Sequence, residues 1–274
     1  MTLTTLLAAL GMALSFALPS TPALPLPEAA DPTTGVTRSR RLTLPFAEEG
    51  LLAFNAHGAE LILQGWDRAE LRVDATKRVS GLDGSLQALA TRILESIVVR
   101  LEREGDRVDL LVEYPAHCSL VLQCSVELRA FAPHRLAVSA RYDDAALSIS
   151  DVHGGIELEN DTGDVVLRNV SGRIGVRTRG GDVDAAPGLP AHISIVSKSG
   201  DVHVTLPRDP AAEPVLLIRA PEQHVRSEAP AFTTREAYEA ALQSGTLLGG
   251  GWPRVELRSD SGHVVVEWAA ADDR

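Results

Sequence analysis

Between Asp151 and Val204 the chain places a glycine every nine residues, at 154, 163, 172 and 181, and this period limits what it can fold into. Apolar or small residues follow each glycine at two and four positions: Ile156/Leu158, Val165/Leu167, Ile174/Val176 and Val183/Ala185. Gly200 with Val202/Val204 repeats the unit, as does Gly262 with Val264/Val266. Three residues ahead of each glycine stands a small polar residue: Asp151, Asn160, Asn169, Thr178, Ser197 or Ser259. Asp, Asn or Ser at the first position with Gly at the fourth marks a type I β-turn. Apolar residues two apart mark a strand with one buried face. The unit is a turn followed by a short strand.

The copies come in two kinds. Gly163, Gly181 and Gly200 are each followed by Asp-Val, and Gly262 by His-Val; Gly154 and Gly172 lead instead into Gly-Ile and Arg-Ile. The kinds alternate, so like returns to like after 18 or 19 residues. Such short units cannot bury an apolar face alone and must stack. The expected fold is all-β: a right-handed single-stranded β-solenoid (β-helix) with coils of about 18–19 residues, its hand set by the preference of parallel crossovers. A meander of antiparallel hairpins is the rival; it explains the nine-residue spacing but not the alternation.

Aromatic residues make up only 4% of the 274-residue chain, so the core must be aliphatic. A net charge of −11 argues against nucleic acid and anionic lipid surfaces, which require basic patches. Residues 3–18 form one apolar run ending at Pro19, the length of a signal-peptide core, although no Lys or Arg precedes it. The expected layout is a signal peptide over 1–23, with an uncleaved anchor as the alternative, then a Pro- and Ala-rich flexible tether over 24–40. The protein is then exported to the periplasm, cell surface or medium, with no membrane insertion beyond that N-terminal signal. Cys118 and Cys124 suit an exported protein as one disulfide, which requires a turn within 119–123; two buried thiols are the alternative.

Residues 41–140 read as an N-terminal β region. It holds an amphipathic helix over about 85–95 (Leu86, Leu89, Ala90, Ile93) and a hairpin at Glu104-Gly105-Asp106. Residues 141–274 carry the glycine repeats, with an insertion over about 221–253. There Thr233 to Glu236 forms a capping box for a second helix over about 234–244.

In order and spacing, several segments resemble the bacterial putative-adhesin family of unknown function, envelope or secreted β-solenoid proteins related to the head-GIN putative adhesins. They are Gly163-Asp164-Val165-Val166-Leu167, Val170-Ser171-Gly172-Arg173-Ile174, Gly180-Gly181-Asp182-Val183 and Ser199-Gly200-Asp201-Val202. Gly65-Trp66-Asp67, the 104–106 hairpin with Tyr114-Pro115, and Gly249-Gly250-Gly251 before the last copy extend the match over about 41–268. The resemblance implies a solenoid outside a membrane and supplies no catalytic residues.

Three constellations could carry chemistry. If like copies stack, Asp164, Asp182 and Asp201 form a column at strand spacing, about 4.8 Å per step. A Ca²⁺-type cation would offset their repulsion, and so would side-chain-to-backbone hydrogen bonds within each turn, which need no ligand. The second is the expectation, so no metal and no cofactor is assigned. Glu157, Glu159, Arg168, Arg177 and Arg179 project outward, where two carboxylates could serve a glycosidase or polysaccharide lyase. An outward strand face is also where charges ordinarily sit. The eight histidines form no helical metal pair, and His153, His203 and His263 meet only if the coils align unusually. The expectation is a non-enzymatic exported scaffold or adhesin that binds an envelope protein or glycan, or associates with itself. The alternative is a carbohydrate-active enzyme on the same framework.

Overall fold

The computed structural model describes residues 35–56, 58–80, 87–119, 123–188, 192–207, 215–228, 231–232 and 254–269. The expected signal peptide, most of the tether and the second helix lie outside these residues. The strands are β1 (Val36–Pro45), β2 (Leu51–Ala56), β3 (Ala59–Trp66), β4 (Glu70–Ser80), β5 (Val98–Glu104), β6 (Arg107–Glu113) and β7 (Gln123–Pro133). There follow β8 (Ala137–Tyr142), β9 (Leu147–Ser150), β10 (Ile156–Asn160), β11 (Val165–Val170), β12 (Arg173–Thr178), β13 (Val183–Pro187), β14 (His192–Ser197) and β15 (Val202–Leu206). The last are β16 (Val215–Arg219), β17 (Val225–Ser227), β18 (Ala231–Phe232), β19 (Arg254–Ser259) and β20 (Val264–Trp268). Helix α1 spans Gln87–Ser96 and buries Ala90, Ile93 and Leu94.

Successive strands of the repeats go to alternate sheets. The first sheet runs β1-β4-β7-β3-β9-β11-β13-β15-β20-β17 and the second β18-β16-β19-β14-β12-β10-β8-β2-β6-β5. Every strand that follows a repeat glycine buries alternate residues: Ile156 and Leu158 on β10, Val165 and Leu167 on β11. These meet in one aliphatic core between the sheets.

The expected class, a right-handed single-stranded β-solenoid, does not describe this chain. Among the described residues both sheets are mixed, each of ten strands, and neither closes on itself. β1 pairs antiparallel with β4, β4 with β7, and β5 with β6. The cause is strand length. β1, β4 and β7 run 10, 11 and 11 residues, too long for a nine-residue turn-plus-strand unit, and the Gly105 turn folds β5 directly back onto β6. The order is also not sequential. β19 lies between β14 and β16, and β20 between β15 and β17, so the last glycine copy joins its own kind and the 215–232 segment is displaced outward. Parallel pairing at a step of 18 holds between Ile156 and Ile174, and at 19 between Val183 and Val202.

Candidate functional site

The turns that join the sheets stack into three columns. In the first, Asn160, Thr178, Ser197 and Ser259 stand in register and are buried. The Gly200 amide donates to Ser197 Oγ and the Gly262 amide to Ser259 Oγ, both at 2.9 Å, and the Gly163 amide donates to Asn160 Oδ1 at 3.3 Å. A buried amide must find an acceptor; the polar residue three positions earlier supplies it. Tyr142 occupies the same register beside Asn160. Its hydroxyl is buried with no hydrogen-bond partner, and burial pushes its ionisation well above the usual phenol range.

The glycines form the second column. A Cβ on Gly200 would lie 1.8 Å from the Gly181 carbonyl oxygen, and one on Gly262 would lie 2.2 Å from that of Gly200. Close approach of backbone to backbone, rather than turn conformation, demands glycine at Gly163 and Gly200. Gly181 also has a φ of 82°. On the other edge of the array Gly154 would meet the Arg135 carbonyl at 2.0 Å, and Gly172 has a φ of 87°.

Asp164, Asp182 and Asp201 do stand in line, and their carboxylates are engaged. Asp164 Oδ1 accepts from the Asp182 amide at 2.9 Å, Asp182 Oδ1 from the Asp201 amide at 2.9 Å, and Asp201 Oδ1 from the His263 amide at 2.7 Å. The bonds run between layers, not within the turn as expected. The His263 amide, foremost, holds the Asp201 carboxyl below the usual carboxylate range. Among the described residues no group of three or more His, Cys, Asp or Glu side chains could hold a metal.

His153, His203 and His263 lie in three separate places. His153 Nδ1 lies 3.0 Å from Ser171 Oγ, with its ring 5.7 Å from that of His134. The His263 ring lies 4.6 Å from that of His224, tilted by 39°. His203 lies between Asp184 at 3.6 Å and Glu267 at 3.5 Å.

The outward carboxylates and arginines also divide. Arg168 is on the first sheet, ion-paired with Asp184, which it draws below the usual carboxylate range by its hydrogen bond. Arg179 pairs with Asp161 at 2.8 Å. Only Glu157, Glu159 and Arg177 share a face, that of the second sheet, and Arg141 joins them from β8. Arg141 meets Glu159 at 2.6 Å; Arg177 meets Glu157 at 3.2 Å and Glu159 at 3.9 Å. A Cβ on Gly175 would lie 2.3 Å from Glu157 Oε2, so the glycine makes room for that side chain. Glu157, Glu159 and Arg141, without Arg177, border a depression of about 380 Å³ that Asn55, Arg107, Asp109 and Ser139 help to line. A general acid must keep its proton near neutral pH, which takes burial or a nearby negative charge. Glu157 and Glu159 have side chains 51% and 45% exposed and are paired with arginines.

Cys118 and Cys124 are bonded, with Cα atoms 5.4 Å apart. Two features escaped the sequence reading. Trp66, noted there only within the Gly65-Trp66-Asp67 segment, ends β3 and packs on Phe131 at 5.5 Å, with the Arg72 guanidinium 4.2 Å from the Phe131 ring. A cationic recess lies where β1 and β4 meet α1. No described helix is long and apolar enough to cross a membrane.

No family model and no curated protein sequence matches the chain. Among solved structures, the chain is similar to a putative cell adhesion protein from Clostridium sporogenes (12% identity, TM-score 0.44, covering 85% of this chain and 100% of that one). It is also similar to a putative adhesin from Bacteroides fragilis (9%, TM-score 0.33, covering 87% and 99%) and to one from Parabacteroides merdae (7%, TM-score 0.24, covering 85% and 96%).

Proposed function

We propose that the protein is a non-enzymatic, exported scaffold of the bacterial surface or envelope that binds a glycan or protein partner through the outward face of the second sheet. The observation that carries this reading is the neutralisation of Glu157 and Glu159 by Arg177 and Arg141 on an open strand face. Paired charges beside a shallow depression on a β surface offer many moderate polar contacts and no desolvated acid. Export rests on the apolar run at residues 3–18. The family resemblance of the sequence supports the same reading.

The test incubates the full chain with a panel of envelope polysaccharides and measures retention and new chain ends together. Retention without cleavage, lost in an Arg141→Ala/Arg177→Ala double variant, is the expected result. Cleavage that disappears in Glu157→Gln would establish the carbohydrate-active enzyme instead. Sequencing the N-terminus of protein recovered from its host checks export: a mature chain starting near residue 24 is expected.

A further inference from the structure

The recess beneath β1 sets cations against one another. In the antiparallel pairing of β1 with β4, Arg38 stands directly opposite Lys77 and Arg40 opposite Ala75. Residues opposite and two apart share a face, so Arg38, Arg40 and Lys77 project to one side of the sheet. Val73, Ala75 and Val79 of the same β4 face are buried, so this side is the core side, where α1 packs against β1 and β4. Like charges directly opposite across a strand pair destabilise it. The compensation is small. Glu95 of α1 meets Arg38 at 3.2 Å, and the Lys77 ammonium donates to the Ile97 carbonyl just past the end of α1. Arg40 has no hydrogen bond or ion pair among the described residues. Burial, then Arg40 and Arg38, draw Lys77 below the usual ammonium range. Arg38, Ser39, Arg40, Lys77 and Glu95 line a cavity of about 400 Å³, within the size range of small-ligand sites. In a chain of net charge −11 this is a local excess of positive charge.

We propose that this recess is a binding site for a phosphate monoester, with Arg38, Arg40 and Lys77 as its donors. Guanidinium groups present paired N–H donors that match a phosphate's oxygens, and an ammonium adds a point charge. The cavity exceeds what inorganic phosphate alone would fill, so it has room for an attached sugar. The ligand is then phosphate itself or a sugar phosphate. Inward-pointing charge on an edge strand also discourages strand-to-strand aggregation, and that role needs no ligand, so the experiment must separate the two.

The chain has only two lysines, Lys77 and Lys198, and Lys198 is exposed on the turn after β14. Acylation by an amine-reactive ester, read by peptide mass spectrometry, therefore has an internal reference. Sodium phosphate and glucose 1-phosphate should slow labelling of Lys77 relative to Lys198, and glucose should not. Calorimetric titration of the same ligands should lose about tenfold or more in affinity with Arg40→Gln, the worth of one charge-assisted contact. Tighter binding of glucose 1-phosphate than of phosphate assigns the sugar; equal binding assigns the phosphate group alone. Equal labelling of Lys77 with and without both anions overturns the proposal. So does an Arg40→Gln variant that aggregates yet binds phosphate as the parent does, which leaves only the edge-guarding role.

Discussion

Gly200→Ala should be among the most damaging single-methyl additions this chain can suffer. The new Cβ would stand 1.8 Å from the Gly181 carbonyl oxygen and 2.6 Å from its carbon, both backbone atoms that no side-chain rotation can clear. The layers would have to part by about 1.6 Å to restore ordinary contact. Two bonds join the layers at that point and a third closes the turn itself. Val183 donates to the Asp201 carbonyl at 2.9 Å, Asp201 to the Asp182 carboxylate at 2.9 Å, and Gly200 to Ser197 Oγ at 2.9 Å. Lengthening by that amount removes the inter-layer pair from hydrogen-bonding range. One is neutral, worth about 1 kcal/mol, and one ends on a carboxylate, worth about 2 kcal/mol. With the strain left in the turn the loss is about 3–4 kcal/mol, or about 10 °C in Tm for a chain of this size. Gly105→Ala is the control. That glycine has a φ of 62° and nothing within 4 Å of an added Cβ, so only the left-handed conformation is penalised, at about 1 kcal/mol. Urea unfolding of both variants, followed by far-UV circular dichroism, gives the two losses. If Gly200→Ala costs no more than Gly105→Ala, the glycine column is a set of turn residues and close stacking is not its cause.

Asp182→Ala leaves the Asp201 amide without its acceptor and should lower stability by about 1–3 kcal/mol; Asp182→Asn keeps an acceptor oxygen and should lose less, read by the same unfolding curves. Because these carboxylates are already bonded, EDTA should leave the thermal midpoint of the parent unchanged, checked by calorimetry. Cys118 and Cys124 are six residues apart, and a loop that short predicts a loss of about 2 kcal/mol on reduction, measured as the shift in urea midpoint with and without dithiothreitol. Asp74, Asp184 and Asp201 are held below the usual carboxylate range, chiefly by Arg41, Arg168 and the His263 amide. Their contribution is complete above the unfolded carboxyl pKa of about 4 and is lost as pH falls through the lower folded values. Tm should hold between pH 7 and 5 and fall below pH 4, and Arg168→Gln should flatten that fall.

What the sequence disclosed follows from what forces a residue choice locally. The glycine period and the polar residue three positions earlier were legible because a backbone contact that excludes Cβ admits only glycine, and the buried amide at that glycine needs a nearby acceptor. The Asp164-Asp182-Asp201 line was legible as a line. Its bonding was not, because an acceptor within the turn and one for the next layer look alike in sequence. Asp182, Asp201 and His263 each lie just ahead of a strand, and the amide of each donates to a side chain rather than into the ladder. The layer before supplies a carboxylate for it. The antiparallel strip was hidden because β1, β4 and β7 lie outside the periodic region and their pairing depends on length. The cationic recess was hidden for a related reason: Arg38 and Lys77 are far apart in sequence and meet only through the antiparallel register of β1 with β4.

The final copy shows how one substitution ends a repeating device. His263 takes the place of the aspartate, donates its amide to the Asp201 carboxylate, and offers no carboxylate onward. The next strand in the first sheet, β17, is only three residues long and pairs with β20 from Val225 to Ser227. Just ahead of it, the His224 ring lies 4.6 Å from the His263 ring. An aspartate at 263 would present an acceptor to an amide of the next layer; a histidine presents a ring, which another ring can cover. The ladder therefore stops chemically at the layer where the strand shortens. Among the described residues the outermost strand here is thus three residues long, and so short an edge gives an incoming chain little to extend.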